Sequence, residues 1–225
     1  MRKKSTMIII FFIGLIILLY PHIAQLINNQ LQKSEVSDFQ NTQLPKKNID
    51  DLMIKSIKCN QKIYDDSEGF RDPFISDKEK VKQFKDCMEL YNGHIFGVIE
   101  IPKLNLEIPI FLGATDEILN EGIGQVKGSS LPIGGKNTHT LLSGHRGMGT
   151  KAMFRNIDQL YPGDIFYIHN FKETLTYEVY AQRVIFPDQT ESLEIEEDKD
   201  LATLITCHPY RHNYQRLLIH AKRKE

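Results

Sequence analysis

Thr203-Leu204-Ile205-Thr206-Cys207-His208-Pro209-Tyr210, followed by Gln215-Arg216-Leu217-Leu218-Ile219, is the stretch that decides the fold. Leu201 to Cys207 is short, mostly apolar and rich in strand formers, so it reads as a β-strand. Pro209 cannot donate to a ladder and stops the strand just beyond Cys207. A thiol is thereby delivered to the edge of a rigid sheet. A lone cysteine is most often a small buried hydrophobe, so Cys207 gains meaning only from its company.

That company is Leu141-Leu142-Ser143-Gly144-His145-Arg146-Gly147 and Arg216. A histidine that ends an apolar strand between glycines sits at a loop mouth. A nucleophilic cysteine needs an imidazole that it meets in space, not in sequence. An arginine on the following strand supplies a fixed cation where an oxyanion would form. His139 lies on the same strand as the rival base, but the glycines flank His145. Arg146 and Arg211 are rivals to Arg216, whose neighbours Leu217, Leu218 and Ile219 place it on a strand.

At these residues the chain resembles the sortases, the cysteine transpeptidases of Gram-positive cell surfaces, from about Asp72 onward. The likeness is closer to class C, the pilin-polymerising sortases. It rests on Asp72-Pro73-Phe74, on Gly97-Val98-Ile99-Glu100-Ile101-Pro102 and on Ser130-Leu131-Pro132-Ile133-Gly134-Gly135. The resemblance implies a mainly β protein, an eight-stranded barrel with short helical insertions. It implies Cys207 as nucleophile, His145 as proton carrier and Arg216 as oxyanion holder. It also implies a lid over the site, in which Asp72 contacts Arg216 and Phe74 covers Cys207 with Pro73 between them. The implied substrate is an LPXTG-like sorting signal, with a pilin lysine as second nucleophile and no cofactor. Most class C members also carry a C-terminal membrane segment, and none is evident here. That keeps a housekeeping-type sortase, which joins surface proteins to the peptidoglycan precursor, as an alternative. A non-catalytic pilus-assembly scaffold is the alternative of another class.

The 225 residues suit one domain with appendages. A formal charge of −1 argues against a nucleic-acid binder, which would show a basic surplus. Met7 to Ile27 is apolar and long enough to cross a bilayer. Arg2, Lys3 and Lys4 precede it, so the positive-inside rule puts the N-terminus in the cytoplasm and the rest outside. No small-x-small cleavage pattern follows, which favours an uncleaved anchor over a signal peptide.

The expected organisation is an anchor over 1–27, a polar stalk or frayed helix over 28–47, a helical region over 48–92 and a catalytic barrel over 93–225. The helical region would carry its lid loop at 65–75. Asn48 is the expected N-cap of a helix with Ile49, Leu52, Met53 and Ile57 on its apolar face. A second helix is expected from Ser76, where Ser76 and Glu79 form a capping-box pattern. Expected strands are Phe96–Ile101, Leu106–Phe111, Thr138–Ser143, Ile165–His169, Thr174–Phe186, Leu201–Cys207 and Arg216–Ala221, with helical turns at Asp116–Glu121 and Met153–Leu160. Short strands of this kind favour a closed barrel.

Of the three cysteines, Cys59 and Cys87 lie on adjacent expected helices and could pair, although both also read as apolar-face residues. Histidines and cysteines lack metal-ligand spacing, so no metal is expected. The acidic run Glu194 to Asp200 reads as a solvated loop.

Overall fold

A computed structural model describes residues 2–41, 45–65, 87, 94–147 and 151–224. Eight strands close into one barrel: β1 (Gly97–Ile101), β2 (Leu106–Leu112), β3 (Ile123–Gln125), β4 (Thr138–Ser143), β5 (Ile165–His169), β6 (Thr174–Ile185), β7 (Asp200–His208) and β8 (Gln215–Arg223). Their order around the wall is β1-β2-β3-β4-β7-β8-β6-β5. β2 with β3, and β4 with β7, pair in parallel; the other neighbours are antiparallel. The mainly β, closed-barrel expectation therefore holds.

Each parallel pair needs a crossover. The first is the helix α3 (Asp116–Glu121), capped by Thr115, whose Oγ1 accepts from Ile118 N. The strand missing from the sequence reading is β3. Its three residues, Ile-Gly-Gln, are too few to show alternation, and only pairing with β2 and β4 makes them a strand. The helical turn expected over Met153–Leu160 is a 3-10 turn at Ile157–Gln159.

The barrel interior is filled by branched and aromatic side chains, including Ile99, Ile110, Leu142, Phe166, Ile168, Leu204 and Ile219. Phe154, Ile157 and Leu160 close it from the connection between β4 and β5. A second cluster, Val126, Leu141, Leu193, Ile205 and Leu218, lies against the other face of β4, β7 and β8. Residues 201–206 are consequently buried on both faces, which explains why β7 reads as a continuous apolar run.

Two helices precede the barrel. The helix α1 (Arg2–Asn41) is continuous through its internal Pro21 and lies against β2. Its apolar N-terminal half is mostly exposed from Met7 to Ile27, long and apolar enough to cross a membrane. The segment expected as a polar stalk or frayed helix is helical to Asn41, and it is packed. Gln32 and Val36 are buried, Gln32 Nε2 donates to Glu121 O, and Phe39 meets Phe171 at 5.8 Å between ring centroids. Spacing of four and three residues puts all three on one helical face.

The helix α2 (Lys46–Asp65) begins two residues before Asn48, which lies inside it and donates to Pro45 O. Its buried face is Leu52, Met53, Ser56, Asn60 and Ile63, whereas Ile57 is exposed. Asn60 clamps the barrel: Leu131 N donates to its Oδ1 at 2.7 Å, and its Nδ2 donates to Leu131 O at 3.3 Å. Cys59 is bonded to Cys87 across 28 residues, so the pair does form a disulfide. Asp72, Pro73 and Phe74, and the helix expected from Ser76 apart from Cys87, lie outside the described residues.

Candidate active site

β4, β7 and β8 set the site by register. In the parallel β4–β7 pair Thr138 faces Asp200 and Ser143 faces Ile205, so both strands reach the same end of the barrel together. In the antiparallel β7–β8 pair Cys207 lies directly opposite Arg216. The chain leaving β4 stays beside β7: Gly144 N donates to Ile205 O at 3.0 Å, and Thr206 Oγ1 donates to Gly144 O at 2.7 Å. His145 follows at once. His145, distant in sequence, is thus brought to the strand end beside those of Cys207 and Arg216.

The glycines around His145 have separate reasons. A Cβ on Gly144 would come within 2.5 Å of the Ile123 side chain and 2.9 Å of the Phe154 ring. Gly147 has φ +107°, which side chains disfavour. Between them His145 O accepts from Phe154 N at 3.0 Å, fixing the backbone of the loop.

Cys207 is a half-buried thiol. Burial holds the His145 imidazole below its usual range, and the Asp116 carboxylate pulls it back up. Arg216 is buried, and its Nη1 donates to Asn213 O at 2.6 Å and Gln215 O at 3.0 Å, gathering the β7–β8 connection around the guanidinium. The His208–Pro209 peptide is cis.

Arg146 is the residue that sequence reasoning undervalued. It is 8% exposed. Its Nε donates to Arg155 O at 3.2 Å, its Nη1 to Cys207 O at 3.3 Å and to His208 Nδ1 at 3.1 Å, and its Nη2 pairs with Asp158 at 3.0 Å. One side chain therefore ties the His145 loop to the backbone of Cys207. Arginine only donates, so His208 Nδ1 must accept and His208 is neutral; burial and then the Arg146 charge hold its pKa below the ordinary value. Arg146 spends its fork on these contacts, and Arg211 stands over the Tyr210 ring at 5.5 Å. Arg216 remains the arginine across from Cys207. The signal for Arg146 was its place in Gly-His-Arg-Gly, but its partners Arg155 and Asp158 come from a turn that no spacing rule links to it.

His139 does not belong to the site. It is buried under the loop after β6, with Nδ1 2.8 Å from Glu194 O and Nε2 2.7 Å from Thr203 Oγ1. Thr203 Oγ1 in turn meets His220 Nδ1 at 2.9 Å. A carbonyl only accepts, so His139 carries its proton on Nδ1, the Thr203 hydroxyl donates to His139 Nε2, and His220 Nδ1–H donates to Thr203. Burial pushes both imidazoles down to about 4. Among the described residues no group of three or more histidine, cysteine or acidic side chains could hold a metal. Three carboxylates of the 194–200 run bind the protein itself, Glu196 to Lys199, Asp198 to Lys136, and Asp200 to Gly135 N and Tyr177.

A closed eight-stranded barrel with a cysteine and an arginine paired across its last two strands defines a narrow class of protein. The sortase domain family matches residues 99–224, and the chain belongs to the sortase family, the cysteine transpeptidases. It is 31% identical over 134 residues to sortase D of Bacillus subtilis, covering 58% of this chain and 65% of that one, so it spans about two thirds of that relative. Over 170 residues it is 29% identical to sortase A of Bacillus anthracis, covering 73% of this chain and 77% of the relative. Class C structures are similar over more of the chain. Sortase C1 of pilus island 1 of group B Streptococcus superposes with a TM-score of 0.76 at 31% identity, covering 86% of this chain and 92% of that one. Sortase C of Clostridium perfringens does so with a TM-score of 0.70 at 34% identity, covering 87% and 99%.

Proposed function

We propose that this chain is a membrane-anchored pilin polymerase of class C type, acting through Cys207, His145 and Arg216. The reading is carried by the cross-strand pairing of Cys207 with Arg216, with His145 following the strand parallel to β7. The similarity to pilus-related sortase C structures supports the substrate class.

In this reading His145 takes the Cys207 proton, and the thiolate attacks the Thr–Gly carbonyl of an LPXTG-like signal. Arg216 holds the oxyanion. The imidazolium returns the proton to the leaving glycine amine as the C–N bond breaks, giving a thioacyl enzyme. A neutral pilin lysine amine then attacks; its proton passes to His145, an isopeptide bond forms and Cys207 is released. Arg146 positions both partners by holding the carbonyl of Cys207 to the His145 loop. Asp72, Pro73 and Phe74 act as a lid, a reading that rests on the motif alone. The exposed apolar half of α1 inserts in the membrane with the barrel outside, where a Cys59–Cys87 disulfide persists.

The test is co-expression with pilins that carry LPXTG-type signals. The intact chain should give covalent ladders that survive boiling in detergent, and Cys207→Ala should give none. Ladders formed by Cys207→Ala would overturn the enzyme assignment. Pilins joined singly to cell-wall precursor, with no ladders, would move the chain to the housekeeping type.

A further inference from the structure

The strand directions fix which end of the barrel lies nearer the anchor. β3 begins at the Cys207 end, where its Gly124 pairs with Ser143, and Glu121 at the close of α3 lies just before it. Met153 follows the His145 loop at the same end, where Phe154 N bonds His145 O. Gln32 of α1 reaches both: its Nε2 lies 3.3 Å from Glu121 O and 3.9 Å from Met153 Sδ. Seven residues later, the Phe39 ring packs tilted against Phe171. Phe171 lies in the turn joining β5 to β6, whose paired ends His169 and Thr174 mark the opposite, Asp200 end. The helix α1 therefore runs from the Cys207 end toward the Asp200 end, and its apolar half projects beyond the Cys207 end. Only five residues separate Ile27 from Gln32, a rise of about 8 Å in an α-helix.

A second observation points the same way. Tyr161, Phe186, Tyr210 and Tyr214 are exposed, and all lie on connections or strand ends at the Cys207 end. Lys103 stands 5.1 Å over the Tyr161 ring, and Arg211 lies over Tyr210. Tyrosines beside basic side chains suit the headgroup layer, which is apolar on one side and wet and anionic on the other. None of the exposed large hydrophobic side chains among the described barrel residues lies at the Asp200 end; Ile57 there belongs to α2.

We propose that the Cys207 end of the barrel faces the lipid bilayer, with the Tyr161–Lys103 rim at the headgroup layer and the Asp200 end pointing away from the membrane. The proposal rests on the reading of α1 as a membrane anchor. Cys207 then works at the bilayer surface.

The full-length chain, in a Cys207→Ala background, is labelled with a fluorophore at Tyr161→Cys or at Lys136→Cys, two exposed positions at opposite ends. Each is placed in nanodiscs of phosphatidylcholine and phosphatidylglycerol carrying a small fraction of headgroup-linked quencher. The nine residues of β7, tilted as barrel strands are, separate the ends by about 20 Å, so quenching at 161 should exceed that at 136 by a factor of about two or more. Equal quenching, or stronger quenching at 136, overturns the orientation while leaving the anchor standing. Failure of the chain to co-migrate with the discs overturns the anchor reading itself.

Discussion

The two ends of the β4–β7–β8 wall carry polar clusters that differ in kind. At one end Asp200 is half buried. Its Oδ2 accepts from Gly135 N at 2.8 Å, and its Oδ1 accepts from the Tyr177 hydroxyl at 2.7 Å and the Thr138 hydroxyl at 3.4 Å. Burial raises the pKa of its carboxyl, and these donors draw it back down. Tyr177 is fully buried and stacks on Phe166 at 5.6 Å. A carboxylate so supplied with donors stitches strand starts together. At the other end a half-buried thiol closes β7 opposite a guanidinium, and the loop carrying His145 is fixed through its backbone and through Arg146, not through the imidazole. Polar groups consumed by the fold mark structure; polar groups held in place by the contacts of their neighbours mark a site. Substitutions at the two ends should therefore separate activity from stability.

The largest effect belongs to the thiol end. Arg216→Lys keeps the charge and loses the planar fork. Transpeptidation, read as kcat/KM on an LPXTG-type peptide, should fall on the order of 10²-fold, as for loss of an oxyanion donor, with the melting temperature little changed. Near-normal turnover would hand the role to another cation.

The Asp200 end should respond in the opposite sense. Tyr177→Phe keeps the stacked ring and removes one donor from a half-buried carboxylate. It should cost about 1–3 kcal/mol in denaturant unfolding, with kcat/KM per folded molecule unchanged. A large loss of rate without loss of stability would dissolve the distinction between the ends.

Acid should act on the wall between them. His139 and His220 are buried neutral with values near 4, below the usual imidazole value of about 6.5. A depressed value means that the unfolded chain binds protons first. Their contribution is thus complete above about pH 6.5 and is lost as pH falls toward 4, by roughly 3 kcal/mol each at most. Melting temperature followed from pH 7 to pH 4 should drop across that window, and replacing both histidines by glutamine should flatten the profile. An unchanged slope in the double variant would mean that other groups set the acid limit.

The smallest effect concerns the lid motif. Replacing Asp72 and Phe74 by alanine should speed alkylation of Cys207 by a small reagent, with Cys59 and Cys87 silent in their disulfide. Equal rates in variant and parent would show that the motif does not guard the thiol.

Much of the barrel was legible because its strands are punctuated. Thr138–Ser143, Ile165–His169 and the helix Asp116–Glu121 fall at their expected bounds. The candidate site was legible because a cysteine ending a strand, a glycine-flanked histidine and an arginine on the next strand each carry a local signal. What was not legible is non-local. β3 exists only through its partners, and the parallel pairing of β4 with β7 that brings His145 toward Cys207 leaves no periodicity. Periodicity also misjudged α2, where buried Ser56 and Asn60 face the barrel and apolar Ile57 does not, because Asn60 is held by the backbone of Leu131. The polar run after the anchor read as a stalk or a frayed helix; its docking was not legible, because Gln32 and Val36 need only one narrow face to dock.

The most direct measurement is the intact mass of the enzyme quenched during turnover of an LPXTG-type peptide. Cys207 as nucleophile requires an added mass equal to the peptide up to its threonine less one water, located on Cys207 by peptide mapping, discharged by a lysine-like amine and absent in Cys207→Ala. An adduct on any other residue, or turnover by Cys207→Ala, would contradict the account.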